Sequence, residues 1–165
     1  MRPKVRGING IDFIDIPPNA LLDDGDQIEE KKEQNDTKFI PSSKILKEVV
    51  IPEYITVHLG SPSSYAQNVT VPFTDYIKNV ASSEIYPTWP REALASNIYA
   101  EISFTLNRIY TEWYRSRGYD FDITNSTAYD HYFVNGRNIY DTISNVVDDI
   151  FNEYISRKGF KEPLL

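Results

Sequence analysis

An α+β fold dominated by helix, with three main helices, one or two short strands and a disordered N-terminal segment, is what the 165-residue sequence predicts. Three observations carry the prediction. Three segments repeat apolar residues at helical spacing, one β-branched run alternates like a strand, and one early stretch is charged and free of aromatic side chains.

In chain order, Met1 to about Ser43 is expected to be poorly structured. Ile11 to Ile16 alternates apolar and acidic residues until Pro17 and Pro18 stop it. Asp23 to Asp36, reading DDGDQIEEKKEQND, has the composition of a solvated linker. Val49 to Leu59 is the strand candidate, with Ile55 and Val57 on one face and Thr56 and His58 on the other. A polar loop, Gly60 to Asn68, follows.

Thr70 as N-cap and Pro72 in the first turn are expected to open the first helix. Its apolar residues are Phe73, Tyr76, Ile77 and Val80. Asp75 sits near the start, where the helix dipole favours negative charge. The helix should stop near Ile85, because the residue before Pro87 is pushed out of helical geometry. Pro90 and Glu92 then begin a second helix expected to reach about Arg117 and be capped by Gly118. Leu94, Ile98, Ile102, Leu106, Ile109 and Trp113 form its buried stripe. Glu101, Arg108 and Glu112 border that stripe, Arg108 and Glu112 at the spacing of an ion pair, and read either as a groove lining or as a solvated salt-bridge edge. Tyr119 to Asn135 has no long period. A last helix, with apolar residues from Ile139 to Ile155 and acidic residues opposite them, closes at Gly159.

Composition excludes several functions. Net charge is −7 and no lysine or arginine cluster could track a phosphate backbone, so nucleic acid is not an expected partner. Without cysteine there is no disulfide, iron–sulfur cluster or thiolate chemistry. No apolar run reaches the roughly 18 residues of a membrane span, and the N-terminus lacks the layout of a signal peptide. His58 and His131, the only histidines, are assigned surface or packing roles. Twelve tyrosines, eight phenylalanines and two tryptophans suit either core packing or the stacking of sugar rings.

Glu84 stands out by position. It falls in the last turn of the first helix, beside Tyr86 and Trp89 and just before the second helix. A carboxyl dried by aromatic neighbours at a helix C-terminus holds its proton more tightly and can act as a general acid. An exposed helix-end glutamate is the other reading.

The stretch VPFTDYI, the corner SSEIYPTWP and the continuation EALASN are similar to the catalytic half of the sporulation stage II protein D (SpoIID/LytB) family of peptidoglycan lytic transglycosylases. More closely, IPEYITVHLG, DYIKNVASSEIYPTWP, SFTLNRIYTEWYRSRGY, TNSTAYD and GRNIYDTISNVVDDIFNEYI resemble clostridial spore cortex-lytic enzymes of the SleC type. The resemblance covers about Ile51 to Leu165. It implies that residues 1–48 are a mostly unstructured remnant of a pro-region and linker, and that 49–165 are a partial SpoIID-like catalytic domain of a truncated form.

The resemblance also implies a reaction. The bond between N-acetylmuramic acid and N-acetylglucosamine would be cut without water, the sugar's C6 hydroxyl attacking to leave 1,6-anhydro ends. Glu84 matches the catalytic glutamate. Tyr86, Trp89, Glu101, Tyr129 and Asp130 are the candidates for substrate binding, and Asp75, Glu92 and Glu101 for a supporting carboxylate. No cofactor is expected. No metal is expected either, because Asn125, Ser126, Thr127 and Tyr129 stand where the wider family often carries zinc-ligating cysteine and histidine. Implied partners are peptidoglycan glycan strands, an activating protease and the missing C-terminal part of the domain; the implied location is the cortex or coat region of the spore, outside the cytoplasm. A non-catalytic peptidoglycan-binding or interaction module, or an inactive truncated paralogue, is the alternative.

Overall fold

The computed structural model describes residues 6–8 and 48–165. The alternation at Ile11–Ile16 and the linker at 23–36 lie outside the described residues. Within them the chain runs β1 (Arg6–Ile8), β2 (Tyr54–His58), β3 (Asn68–Pro72), α1 (Phe73–Glu84), α2 (Arg91–Tyr110), a 3-10 turn (Arg115–Arg117), β4 (Ile123–Thr124), α3 (Asp141–Ile150) and β5 (Glu153–Ile155). The fold is α+β, with three helices and two small sheets.

β2 is the centre of a three-stranded sheet. It pairs antiparallel with β3, Ile55 opposite Val71 and His58 opposite Asn68, and parallel with β4, Val57 opposite Ile123. Ile55 and Val57 are fully buried, as their alternation requires. His58 is buried too, stacked 4.5 Å from Phe121 and bonded through Nδ1 to Asn68, so its packing role holds. Thr70 is not an N-cap. It lies in β3 opposite Thr56, the two hydroxyls 3.1 Å apart, and α1 starts one residue beyond Pro72 without a side-chain cap.

The three helices touch one another around one apolar core. Phe73, Tyr76, Ile77 and Val80 come from α1, Leu94, Ile98, Ile102 and Leu106 from α2, and Ile143, Val146, Val147 and Ile150 from α3. Burying each such side chain contributes roughly 1.5–3 kcal/mol, which is why the helical stripes dominate the architecture.

Two helix ends differ from the sequence expectation. α2 stops at Tyr110, not near Arg117: the Trp113 N–H donates to the Arg108 carbonyl and the Glu112 N–H to that of Ile109, a Schellman ending with Glu112 at φ 50°. Gly118 is left-handed, as expected of a cap, but it closes the 3-10 turn. The last helix stops at Ile150, and Tyr154 and Ile155 form strand instead. β5 pairs parallel with β1, and its Ile155 N–H donates to Ser103 Oγ on α2. Partners for the backbone outweighed a helical apolar period.

Candidate functional site

The site forms where the end of α1, the middle of α2 and the loop 125–140 converge. Glu84 ends α1, and Ile85 caps it in extended geometry, two residues ahead of Pro87. The loop is brought to Glu84 by two anchors. Asn79 on α1 exchanges hydrogen bonds with Val134, its Nδ2 donating to the carbonyl at 2.8 Å and its Oδ1 accepting from the N–H at 3.0 Å. Asp130, whose side chain is fully buried, accepts from Arg108 Nε at 3.0 Å, the Tyr114 hydroxyl at 2.6 Å and the Thr124 hydroxyl and N–H.

These anchors set His131 and Tyr132 against Glu84. The Tyr132 N–H donates to Glu84 Oε1 at 2.7 Å, and His131 Nδ1 lies 3.5 Å from the same oxygen. The His131 ring meets Phe104 edge-on, and its Nε2 is buried without a hydrogen-bond partner. Glu84 itself keeps 31% of its side chain exposed.

The electrostatics of Glu84 run opposite to the sequence expectation. Its partial burial pushes the carboxyl up, but the His131 imidazole and the Tyr132 N–H favour the charged form more strongly, and the net shift is below the ordinary glutamate range. Tyr86 and Trp89 do not dry it. They are 68% and 41% exposed and lean on each other, ring centroids 6.0 Å apart.

Glu101 shows the converse. It is 3% exposed, so it does not line an open groove, and its Oε2 has no hydrogen-bond partner. Burial, and then the charge of Glu84, hold its carboxyl well above the usual range, favouring the protonated form. Tyr76, fully buried on α1, has its phenol pushed up by burial and then by the charges of Asp130, Glu84 and Glu101.

Of the expected site residues, the fold gathers Glu84 and Glu101 closely enough for charge coupling, and Tyr86 and Trp89 flank the corner as exposed rings. Asp130 faces inward as a loop anchor, its side chain fully buried against Arg108. Tyr129 exposes its ring while its carbonyl accepts from Arg108. Arg108 therefore pairs with Asp130, not with Glu112. His131 is the residue that sequence reasoning missed. Its place next to Tyr129–Asp130 was the one available signal, because 47 positions separate it from Glu84 along the chain. Among the described residues no group of three histidine, aspartate or glutamate side chains could hold a metal ion.

The corner thus sets a half-exposed carboxyl, Glu84, on a domain that also buries a second one, Glu101. A family model, SpoIID (Stage II sporulation protein), matches residues 62–155, more than half of the chain, and the protein belongs to that family. Membership points to a lytic role connected with the cell wall and sporulation. No curated protein matches the chain, and no solved structure does. No helix among the described residues is long and apolar enough to cross a membrane.

Proposed function

We propose that the protein is a lytic transglycosylase domain acting on the glycan strands of spore cortex peptidoglycan, outside the cytoplasm, with Glu84 as its catalytic acid and base. The observation that carries this reading is the Glu84 corner: a carboxyl on a rigid helix end, its Oε1 held by a backbone N–H, beside two exposed aromatic rings on which sugars can stack.

The chemistry needs only one carboxyl at the scissile bond. Glu84 gives its proton to the bridging oxygen as the bond to C1 of the muramic acid breaks. The C6 hydroxyl of that sugar then bonds to C1 and returns its proton to Glu84, leaving a 1,6-anhydro end. Two-carboxylate hydrolases instead spend a water at this stage. Glu84 must be protonated at the start, whereas in the free protein it is a carboxylate. A glycan strand covering the corner strips water from Glu84 and raises its proton affinity.

That ionised resting state supports the second reading, a binding module in which Glu84 accepts hydrogen bonds from sugar hydroxyls. Incubation with cortex peptidoglycan, followed by mass spectrometry of the muropeptides, separates the two. The expected result is 1,6-anhydro ends from the wild type and about 10²–10⁴-fold fewer from Glu84→Gln. Sedimentation with glycan but no anhydro ends in either protein selects the binding module.

A further inference from the structure

We propose that His131 is the positioning residue of the corner: its Nδ1–H and the Tyr132 N–H together hold Glu84 Oε1, so that Oε2 is the oxygen that gives the proton to the glycan and takes one back. The role rests on the transglycosylase reading, the contact beneath it on the fold alone.

The two oxygens of Glu84 have different surroundings. Oε1 accepts from the Tyr132 N–H at 2.7 Å and lies 3.5 Å from His131 Nδ1, while no hydrogen bond from the described residues reaches Oε2. A separation of 3.5 Å is long for a hydrogen bond, but catalytic contacts in a substrate-free site commonly start long and tighten around substrate. The ring's own surroundings place its proton. Nε2 is buried without a hydrogen-bond partner where the ring meets Phe104. Orphaned buried N–H groups are rarer than unsatisfied acceptors, and at Nδ1 the proton faces a carboxylate, so it belongs there. The loop is pinned on both sides of the ring, Asp130 by Arg108, Tyr114 and Thr124, and Val134 by Asn79. The other charged or titratable groups near Glu84 are Tyr76 on α1, Glu101 on α2 and Arg137, which donates to Ser83 Oγ at 2.9 Å. Among the described residues none of these donates to the Glu84 carboxyl.

The arrangement suits an acid that becomes a base. Once a glycan covers the corner and Glu84 is protonated, Oε1 stays a carbonyl oxygen accepting from both donors and Oε2–H points to the bridging oxygen. As the bond to C1 breaks, that proton leaves with the bridging oxygen, and the negative charge building on the carboxyl is met by two fixed donors. The C6 hydroxyl then bonds to C1 and gives its proton to Oε2, which restores Glu84. His131 transfers no proton and touches no reacting atom. The donor that stabilises the carboxylate also lowers the proton affinity of Glu84, so it speeds the transfer while narrowing the working pH range on its alkaline side.

Two measurements test this on the full chain. Nitrogen-15 NMR of the imidazoles, with the His131 signals assigned by their loss in His131→Asn, should show the proton of the singly protonated ring on Nδ1. A proton on Nε2, facing Phe104, overturns the proposal. The pH profile of anhydro-end release supplies the second. His131→Leu should lower kcat about tenfold to a hundredfold, the worth of one hydrogen bond to a charged group, leave KM little changed and move the alkaline limb to higher pH. His131→Asn, whose amide sets an N–H where Nδ1 stood, should recover most of the rate. A merely structural role would lower the rate equally at every pH, in both variants alike and in step with their melting temperatures, and that pattern also overturns the proposal. If neither variant folds, the wild-type nitrogen signals decide it alone. A wild type that carries the proton on Nδ1 yet releases no anhydro ends would overturn the transglycosylase reading while leaving the contact standing. The Glu84 carboxyl carbon, followed by carbon-13 NMR, should then still titrate higher in His131→Leu than in the wild type.

Discussion

At the scale of single residues, the corner separates side chains that hold structure from those that face solvent. Asp130 and Trp89 were equal candidates by sequence and have opposite places. Asp130 is buried among four donors; Trp89 is exposed on its neighbour Tyr86. Trp89→Ala should therefore weaken co-sedimentation with glycan by roughly two- to tenfold, the worth of one aromatic contact. Thermal stability should barely move, since exposed substitutions stay within about 0.5 kcal/mol. A lowered melting temperature with unchanged glycan binding would assign the ring to packing.

At the scale of elements, the loop 125–140 is the part that sequence periodicity could not reach. It has no repeat, and its shape comes from single polar side chains that tie it to α1, α2 and β4. Asp130→Ala leaves the Arg108 guanidinium, with only 11% of its side chain exposed, without its counter-charge. The expected cost is about 3–5 kcal/mol, read as a lower urea midpoint. The loop should release His131 with it, and the Glu84 carboxyl should then titrate closer to the ordinary value. Helix ends were equally hidden. α2 is closed by a glutamate in the left-handed region, where glycine is the usual signal, and β5 is drawn out of a helical period by strand and side-chain partners.

At the scale of the whole molecule, the two perturbed glutamates make stability depend on pH in opposite directions. Glu84, with its folded pKa lowered, contributes stability that is present above about 4.5 and lost as pH falls through the lowered value. Glu101 is raised, so its contribution is present below about 4.5 and lost as pH rises through the raised value. The wild type should thus be most stable at mildly acid pH and soften on the alkaline side. Glu101→Gln, which replaces a buried acid by a non-titrating amide of the same shape, should remove the alkaline decline. Circular-dichroism melts from about pH 4 to about pH 9 check this, the gap between the two proteins widening with pH. Parallel curves would mean that Glu101 ionises freely.

Much of the fold was legible because local periods and burial agree. Ile55 and Val57 alternate and are buried in a strand; Phe73, Tyr76, Ile77 and Val80, or Leu94, Ile98, Ile102 and Leu106, repeat at one helical turn and meet in one core. Pro87 marked the corner just past Glu84, since its steric demands act on its neighbour in the chain, Tyr86. By itself, then, the sequence determined the class of fold, the central helices and the position of the acid. Only the tertiary structure decided the state of that acid. A proton's preference depends on whatever groups arrive from elsewhere, and here His131 and Tyr132, nearly fifty residues away, lower the proton affinity of Glu84 while burial raises that of Glu101.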